Sequence, residues 1–398
     1  MSSESMKALP MAADPASLMP LQRAYQDRDA AIQRARQALP GQPLVGVVGN
    51  TVPLELIDAC GATPLRVAPN AGATPWADRV IEEVSDPDVR RIVEAYASGA
   101  LNDLALLVVP RSTESQHKLY LSLREMWRTG MVTRGPEIWL YDIPHTQRPS
   151  SHAYGVRRTE ALRDRLGEIT GRRADESDLA CAIALRNAQR RALQRLQNLR
   201  LQGRVSGLAA QWATGAQQFM PLQAGLEALQ TWLDSVADGP APAASGPRLL
   251  VTGVPLDHAL LHALVDDLGA CIVAENDEWG SRAADTLIPE REDLAPLTAI
   301  FEHVWRDVPC VRRHPAEPRP DWLDRQLAPA GQPAVIDGVL FHLPPPDDIH
   351  GWQFPADRDR VAAAGLPWLS LRADVRLHPD TLRAQLQAWL STQPLRRA

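Results

Sequence analysis

The chain has 398 residues, 45% of them hydrophobic, and a formal net charge of −6. That length supports two or three cored domains, the acid excess argues against a nonspecific nucleic-acid surface, and no apolar run approaches the ~20 residues of a membrane helix. Lys7 and Lys118 are the only lysines, so nearly all positive charge is arginine, and the cysteines Cys60, Cys181, Cys271 and Cys310 lie far apart without a C-x-x-C pair. This cysteine usage fits a reducing compartment and argues against a disulfide framework or a local zinc site. Because the N-terminus lacks the apolar core and cleavage site of a signal peptide, the expected location is cytoplasmic.

Residues 1–40 hold one predicted helix, Leu21 to Leu39, read as an N-terminal helical appendage. The stretch LVGVVGNTVPLELIDACGATPLRVAP, Leu44 to Pro69, follows. Val45, Val47 and Val48 form a buried-strand run that stops at Gly49, and Asn50-Thr51-Val52-Pro53 supplies a cap and a proline for a first helical turn. Leu54 and Ile57 sit at helical spacing before Gly61, and Pro64 to Val67 reads as the next strand. The rest of residues 41–150 alternates: helices at Val89 to Ser98 and Gln116 to Arg128, strands at Leu104 to Val109 and Glu137 to Tyr141. Such alternation predicts a parallel sheet with helices on its faces.

Across residues 151–245 the strand signal vanishes, and a helical segment ends in a Pro/Ala/Gly linker, Asp238 to Pro247. Residues 246–398 restart the alternation as a second α/β domain. Strands are predicted at Arg248 to Thr252, Cys271 to Ala274, Val335 to Phe341 and Trp368 to Leu371. Helices are predicted at Leu256 to Leu268, Leu294 to Trp305, Asp357 to Ala364 and Thr381 to Trp389. The predicted fold class is α/β: two doubly wound, Rossmann-like parallel-sheet domains joined by a helical segment.

The stretch after Leu44 resembles the opening motif of the 2-hydroxyacyl-CoA dehydratase family, which includes the benzoyl-CoA reductase subunits. Val52-Pro53, Glu55, Ala59, Gly61, Pro64 and Arg66 carry that resemblance. It continues through Gly253, Pro255, Gly269, Glu275, Gly280 and Arg282, and through Asp337-Gly338-Val339 with Gly365, Pro367 and Leu369. The resemblance implies acyl-CoA thioester substrates, heterodimers of related subunits fed by an ATP-dependent electron activator, and a [4Fe–4S] cluster held by cysteines. Aligned with those cysteines, this chain has Ser85, Thr113 and Pro346. Hydroxyl and proline side chains do not replace thiolates on iron. The cofactor expected from the family therefore lacks its ligands, and the sequence predicts a cluster-free dehydratase-type subunit beside a cysteine-bearing paralogous subunit. A cluster-free ligand-binding or scaffold protein, or a repurposed non-redox lyase or hydrolase, stays open.

Open α/β sheets bind ligands beyond the carboxyl ends of their strands. In that position Thr51, Glu55 and Asp347 are the candidate catalytic groups. Asn50, Arg111, Thr113, Glu114, Arg282, His342 and His350 are candidate contacts for an acyl-CoA or small carboxylate ligand, with Ser112 and Glu275 beside them. Glu55 reads as a general acid/base or hydroxyl-binding group, or simply as a first-turn carboxylate favoured by the helix dipole. Arg282 reads as an anchor for a CoA or carboxylate oxygen, or as a surface arginine after a glycine turn. His258, His262 and Asp266 share one helix face at i+4 spacing, a pattern that suits metal. Leu256, Leu260, Leu264 and Leu268 form the other stripe, so the polar row is read as solvated and no metal ligands are assigned. Pro344 to Trp352 offers Asp347, Asp348 and His350 as hard-metal or acid–base groups. With no G-x-G-x-x-G, P-loop or G-x-S-x-G, nothing points to a nicotinamide cofactor or a serine triad.

Overall fold

The computed structural model describes residues 15–83, 85–239, 246–291, 293–310, 322–327, 336–345, 347 and 349–393. The N-terminal helix expected over Leu21 to Leu39 is two helices, α1 (Pro15–Gln26) and α2 (Ala31–Ala38). The break turns Arg28 inward, where its guanidinium stacks over Tyr25, Phe219 and Trp279 and donates to the carbonyl of Tyr25. Burying that planar cation among aromatic rings offsets the interrupted helix.

The first sheet is built from β1 (Leu44–Val47), β2 (Thr63–Arg66), β3 (Leu106–Pro110) and β4 (Glu137–Tyr141), with α3 (Leu54–Ala59), α4 (Pro87–Ala97) and α5 (Glu114–Arg128) as crossovers. Its order is β2-β1-β3-β4 and every pairing is parallel. Alternate residues serve two cores. Val45, Val47, Leu106 and Val108 face α3, whereas Leu44, Leu65, Leu107 and Val109 face α4 and α5. Gly46 is required by close approach, since a Cβ there would press on Leu104 and Val67.

Four helices follow: α6 (Pro149–Thr170), α7 (Glu176–Leu201), α8 (Gly207–Ala216) and α9 (Leu222–Asp238). A capping box between Asp175 and Asp178 starts α7, and α1 packs with α8 and α9 in a shared core. The second sheet comprises β5 (Arg248–Gly253), β6 (Cys271–Glu275), β7 (Gly338–His342) and β8 (Trp368–Leu371), in the order β6-β5-β7-β8 and again all parallel. Its helices are α10 (Leu260–Asp267), α11 (Pro296–Glu302), α12 (Trp322–Leu327), α13 (His350–Ala363) and α14 (Pro379–Thr392). The two sheets repeat one topology, so the α/β reading of the sequence holds.

The connection from β6 to β7 departs from that symmetry. Its residues Ile288, Leu297, Ile300, Phe301, Val304 and Trp305 pack into the core formed by the first sheet, α3, α6 and α7. A segment from the second half thereby becomes a wall of the space beyond β1.

Two local expectations need correction. The row His258, His262 and Asp266 is not solvated: His262 and Asp266 are buried, while Leu260 is exposed. His262 Nε2 lies 2.8 Å from Glu275 on β6, and Asp266 accepts the Leu208 N–H of α8 at 3.0 Å, so the polar face is turned inward by its partners. The last crossover helix begins at His350 rather than after Pro355, because Asp347 accepts the N–H groups of Ile349, His350 and Gly351. Residues 240–245 of the expected linker lie outside the described residues, as do residues 1–14, Pro346 and Asp348. Among the described residues no helix is long and apolar enough to cross a membrane.

Candidate functional site

Beyond β1 the chain turns at Gly49, whose φ of +65° suits glycine, and enters α3 with Glu55 in its first turn. Arg190 reaches Glu55 from α7, and Arg186, one turn earlier, meets Asp58 at 2.6 Å. Between these groups, the ends of β1 and β2, and residues 278–286 and 303–309 lies a cavity of about 150 Å³. Its wall carries the cations Arg66, Arg186, Arg190 and Arg282 and the carboxylates Glu55, Glu278, Asp285 and Asp307, so the lining is balanced in charge, with His303 added. Burial alone would raise the Glu55 carboxyl, but Arg190, His303 and Arg186 outweigh it and hold the group at about 2. Glu55 is therefore an ionised counter-charge at neutral pH.

A second cavity of about 140 Å³ lies where the second sheet reverses strand order, at Thr252 and Gly253 of β5, Phe341 of β7 and Leu343 just beyond it. It shares Glu278, Arg282 and Pro309 with the first, so the two form one cleft between the carboxyl ends of both sheets. Asp277 lines it and accepts N–H groups from Leu256, Trp279 and Gly280. Burial, reinforced by Glu275 and Glu278, nevertheless pushes the Asp277 carboxyl up to about 7.

The structure gathers Asn50, Glu55 and Arg282 at the first cavity, and Arg282 and His350 at the second. Asn50 spans the cleft by donating to the Pro309 carbonyl at 2.9 Å, and Arg282 donates to Asn276 at 3.0 Å. The other predicted groups line neither cavity. Thr51 is buried against Ser112, Thr113 accepts the Gln116 N–H as the cap of α5, and Arg111 faces Asp142 at 3.7 Å. Glu114 follows Thr113 in the first turn of α5. His342 is buried and donates from Nδ1 to the Val254 carbonyl at 2.9 Å, and burial lowers its pKa. Asp347 is held at about 2, because His350 and the backbone N–H groups overcome the effect of burial. Glu275, expected in the pocket, is fully buried between Arg200 and His262.

Arg186, Arg190, Asp277 and His303 carry no motif and were not singled out from the sequence. The i+4 spacing of the two arginines on α7 was the available signal, since it places both on one helix face.

The [4Fe–4S] cluster implied by the resemblance takes thiolate ligands. Ser85 instead donates to Glu82 at 3.2 Å, and Thr113 is the helix cap already described. Cys60 and Cys271 are buried in cores and Cys181 is exposed on α7. Cys310 lines the second cavity, with Sγ 3.8 Å from His145 Nδ1, whose Nε2 faces the Arg111 carbonyl at 3.3 Å. These donors do not fit a cluster. Among the described residues no group of three or more His, Cys, Asp or Glu is placed to hold a metal ion.

Among curated proteins none matches the sequence. The family model described as 2-hydroxyglutaryl-CoA dehydratase, D-component, matches residues 50–390, a span that runs from the turn after β1 into α14. Since that span covers most of the chain, the protein belongs to the 2-hydroxyacyl-CoA dehydratase family.

Proposed function

We propose that this chain is a subunit of a 2-hydroxyacyl-CoA dehydratase or benzoyl-CoA reductase-type enzyme, cytoplasmic, without a [4Fe–4S] cluster of its own, and working beside a cysteine-bearing paralogous subunit. The observation that carries this reading is the two-chambered cleft with Arg282 on the shared wall, inside a chain of this family. The balanced lining of the first chamber suits the acyl and thioester end of an acyl-CoA rather than its phosphates, which require a net cationic surface. Arg282 supplies a guanidinium fork to a carbonyl or carboxylate oxygen where the chambers meet. Glu55, already ionised against Arg190, sets a fixed negative charge on the wall of the chamber instead of trading protons with the ligand. That fixed charge also favours a second reading, in which the chain binds a thioester or small carboxylate without turning it over.

Anaerobic purification of the chain alone and with a cysteine-bearing partner, followed by iron and sulfide analysis, tests the subunit assignment. The expected result is no stoichiometric iron in the isolated chain and a stable complex whose iron tracks the partner. Brown isolated protein containing acid-labile sulfide contradicts the cluster-free assignment. Failure of every cysteine-bearing paralogue to associate leaves the binding-protein reading.

A further inference from the structure

The first chamber is lined by an imidazole with one buried ring nitrogen that makes no hydrogen bond. His303 is 5% exposed, lines the cavity, and its Nδ1 makes no hydrogen bond. The nearest carboxylate is that of Asp307, with Oδ2 3.6 Å from Nδ1. Both residues belong to the single π turn His303–Asp307, closed by the Val308 N–H on the His303 carbonyl at 3.0 Å. Such wide turns are rare and recur at functional sites, and this one brings residues four apart in sequence to the same side.

The arginines Arg66, Arg186 and Arg190 and the amide of Asn50 on the wall are engaged. Arg190 holds Glu55, Arg186 holds Asp58 and Gln189, and Arg66 holds the Gly49 carbonyl and Glu278. Asn50 is spent on Pro309. The buried Nδ1 faces Asp307, which leaves Nε2, without a hydrogen bond among the described residues, as the ring atom that a ligand hydroxyl could meet.

We propose that His303 is the residue that recognises a hydroxyl group on the bound acyl ligand and exchanges a proton with it, with Asp307 as its positioning residue. The inference rests on the dehydratase-type reading of the cleft. The Asp307 carboxylate favours the tautomer that carries hydrogen on Nδ1, which leaves the Nε2 lone pair to accept the ligand O–H. When the proton moves, the O–H bond breaks, its electron pair stays on oxygen, and the proton forms the N–H of an imidazolium. That cation is stabilised by Asp307 on its own turn and by Glu55 on α3, and opposed by Arg186 and Arg190 on α7.

The test is calorimetric titration with 2-hydroxybutyryl-CoA and butyryl-CoA, which differ by one hydroxyl, against wild type, His303→Phe and His303→Gln. A site built to bond a hydroxyl discriminates against the analogue that lacks it, so wild type should prefer the hydroxy ester by about tenfold or more. His303→Phe should bind both esters alike. His303→Gln, whose side-chain carbonyl can accept the hydroxyl, should keep part of the preference. Equal preference in wild type and His303→Phe overturns the inference. Wild type that binds both esters equally also overturns it while sparing the dehydratase-type reading. Binding of neither ester, with or without a partner subunit, removes that reading and the inference together.

Discussion

Helix α7 sends two arginines to two buried glutamates, and the surroundings of the two pairs differ. Glu275, at the end of β6, is wholly enclosed: Arg200 meets both its oxygens, one of them at 2.8 Å, His262 lies 2.8 Å away, and the Ser281 N–H donates at 3.2 Å. Glu55, in the first turn of α3, meets Arg190 through one oxygen and borders the first chamber of the cleft. Both carboxyls stay ionised despite burial, because the arginine in each pair outweighs the loss of water. One device thus serves as a lock where every lone pair is engaged, and as a charged wall where a cavity adjoins it.

Breaking the lock should have the largest effect. Glu275→Ala strands the Arg200 guanidinium in a dry core, and we expect a loss of about 3–5 kcal/mol in urea unfolding. Glu55→Ala should lose less, about 1–3 kcal/mol, because water in the chamber can reach Arg190. Equal losses would erase the distinction between the pairs.

The wall that the β6–β7 connection lends to the first chamber can be loosened separately. A Cβ added at Gly155 of α6 would collide with the Phe301 ring of α11, so Gly155→Ala should cost about 1–3 kcal/mol and weaken any ligand bound in the chamber. Destabilisation with unchanged ligand affinity would show that this wall does not shape the site.

Acid should also separate the two pairs. Glu55 is lowered from an ordinary 4.5 to about 2, so its contribution to stability is present above about 4.5 and is lost as pH falls through about 2. Glu275 is displaced in the same direction, so its contribution disappears on the same side. Unfolding measured from pH 5 downward should therefore flatten in Glu275→Gln and, to a smaller degree, in Glu55→Gln. A Glu275→Gln profile parallel to wild type would contradict the lock.

The smallest expected effect is on thiol reactivity. Burial pushes the Cys271 thiol up to about 11 and raises Cys60 as well, whereas Cys181 is exposed and Cys310 lines the second chamber. Alkylation at neutral pH, followed by peptide mass analysis, should label Cys181 and Cys310 before the other two. An acyl-CoA ligand should protect Cys310 and leave Cys181 unchanged. Loss of protection at Cys310 would place the ligand outside the second chamber.

The strands were legible because a parallel sheet covered on both faces leaves unbroken apolar runs such as Leu106 to Val109. The turn at Gly49 and the positions of Glu55 and Arg282 were legible for a related reason, since local turn chemistry fixes them at strand ends. What escaped depends on partners far along the chain. His262 and Asp266 looked solvated because Glu275 and the Leu208 N–H, which satisfy them, are contributed by β6 and α8. Thr51 and Thr113 sit at the expected turns, yet their hydroxyls are taken by Ser112 and by the cap of α5, choices that sequence position does not reveal. His303 was hidden most completely, in a connection that leaves its own sheet to wall the other. The helix expected from Asp357 starts at His350 instead, because Asp347, more than two turns upstream, accepts the N–H groups of its first residues.

The central claim, that the cleft between the sheets takes an acyl-CoA thioester against Arg282, is tested most directly by calorimetric titration. The panel is acyl-CoA thioesters and free short-chain acids, titrated into wild type, Arg282→Ala and Arg282→Lys, each with and without a partner subunit. Loss of a charged hydrogen bond predicts about 1.5–3 kcal/mol weaker binding in Arg282→Ala, with only part restored by lysine, which cannot make a two-pronged contact. Equal affinity in all three proteins, or no binding of any panel member, would contradict the account.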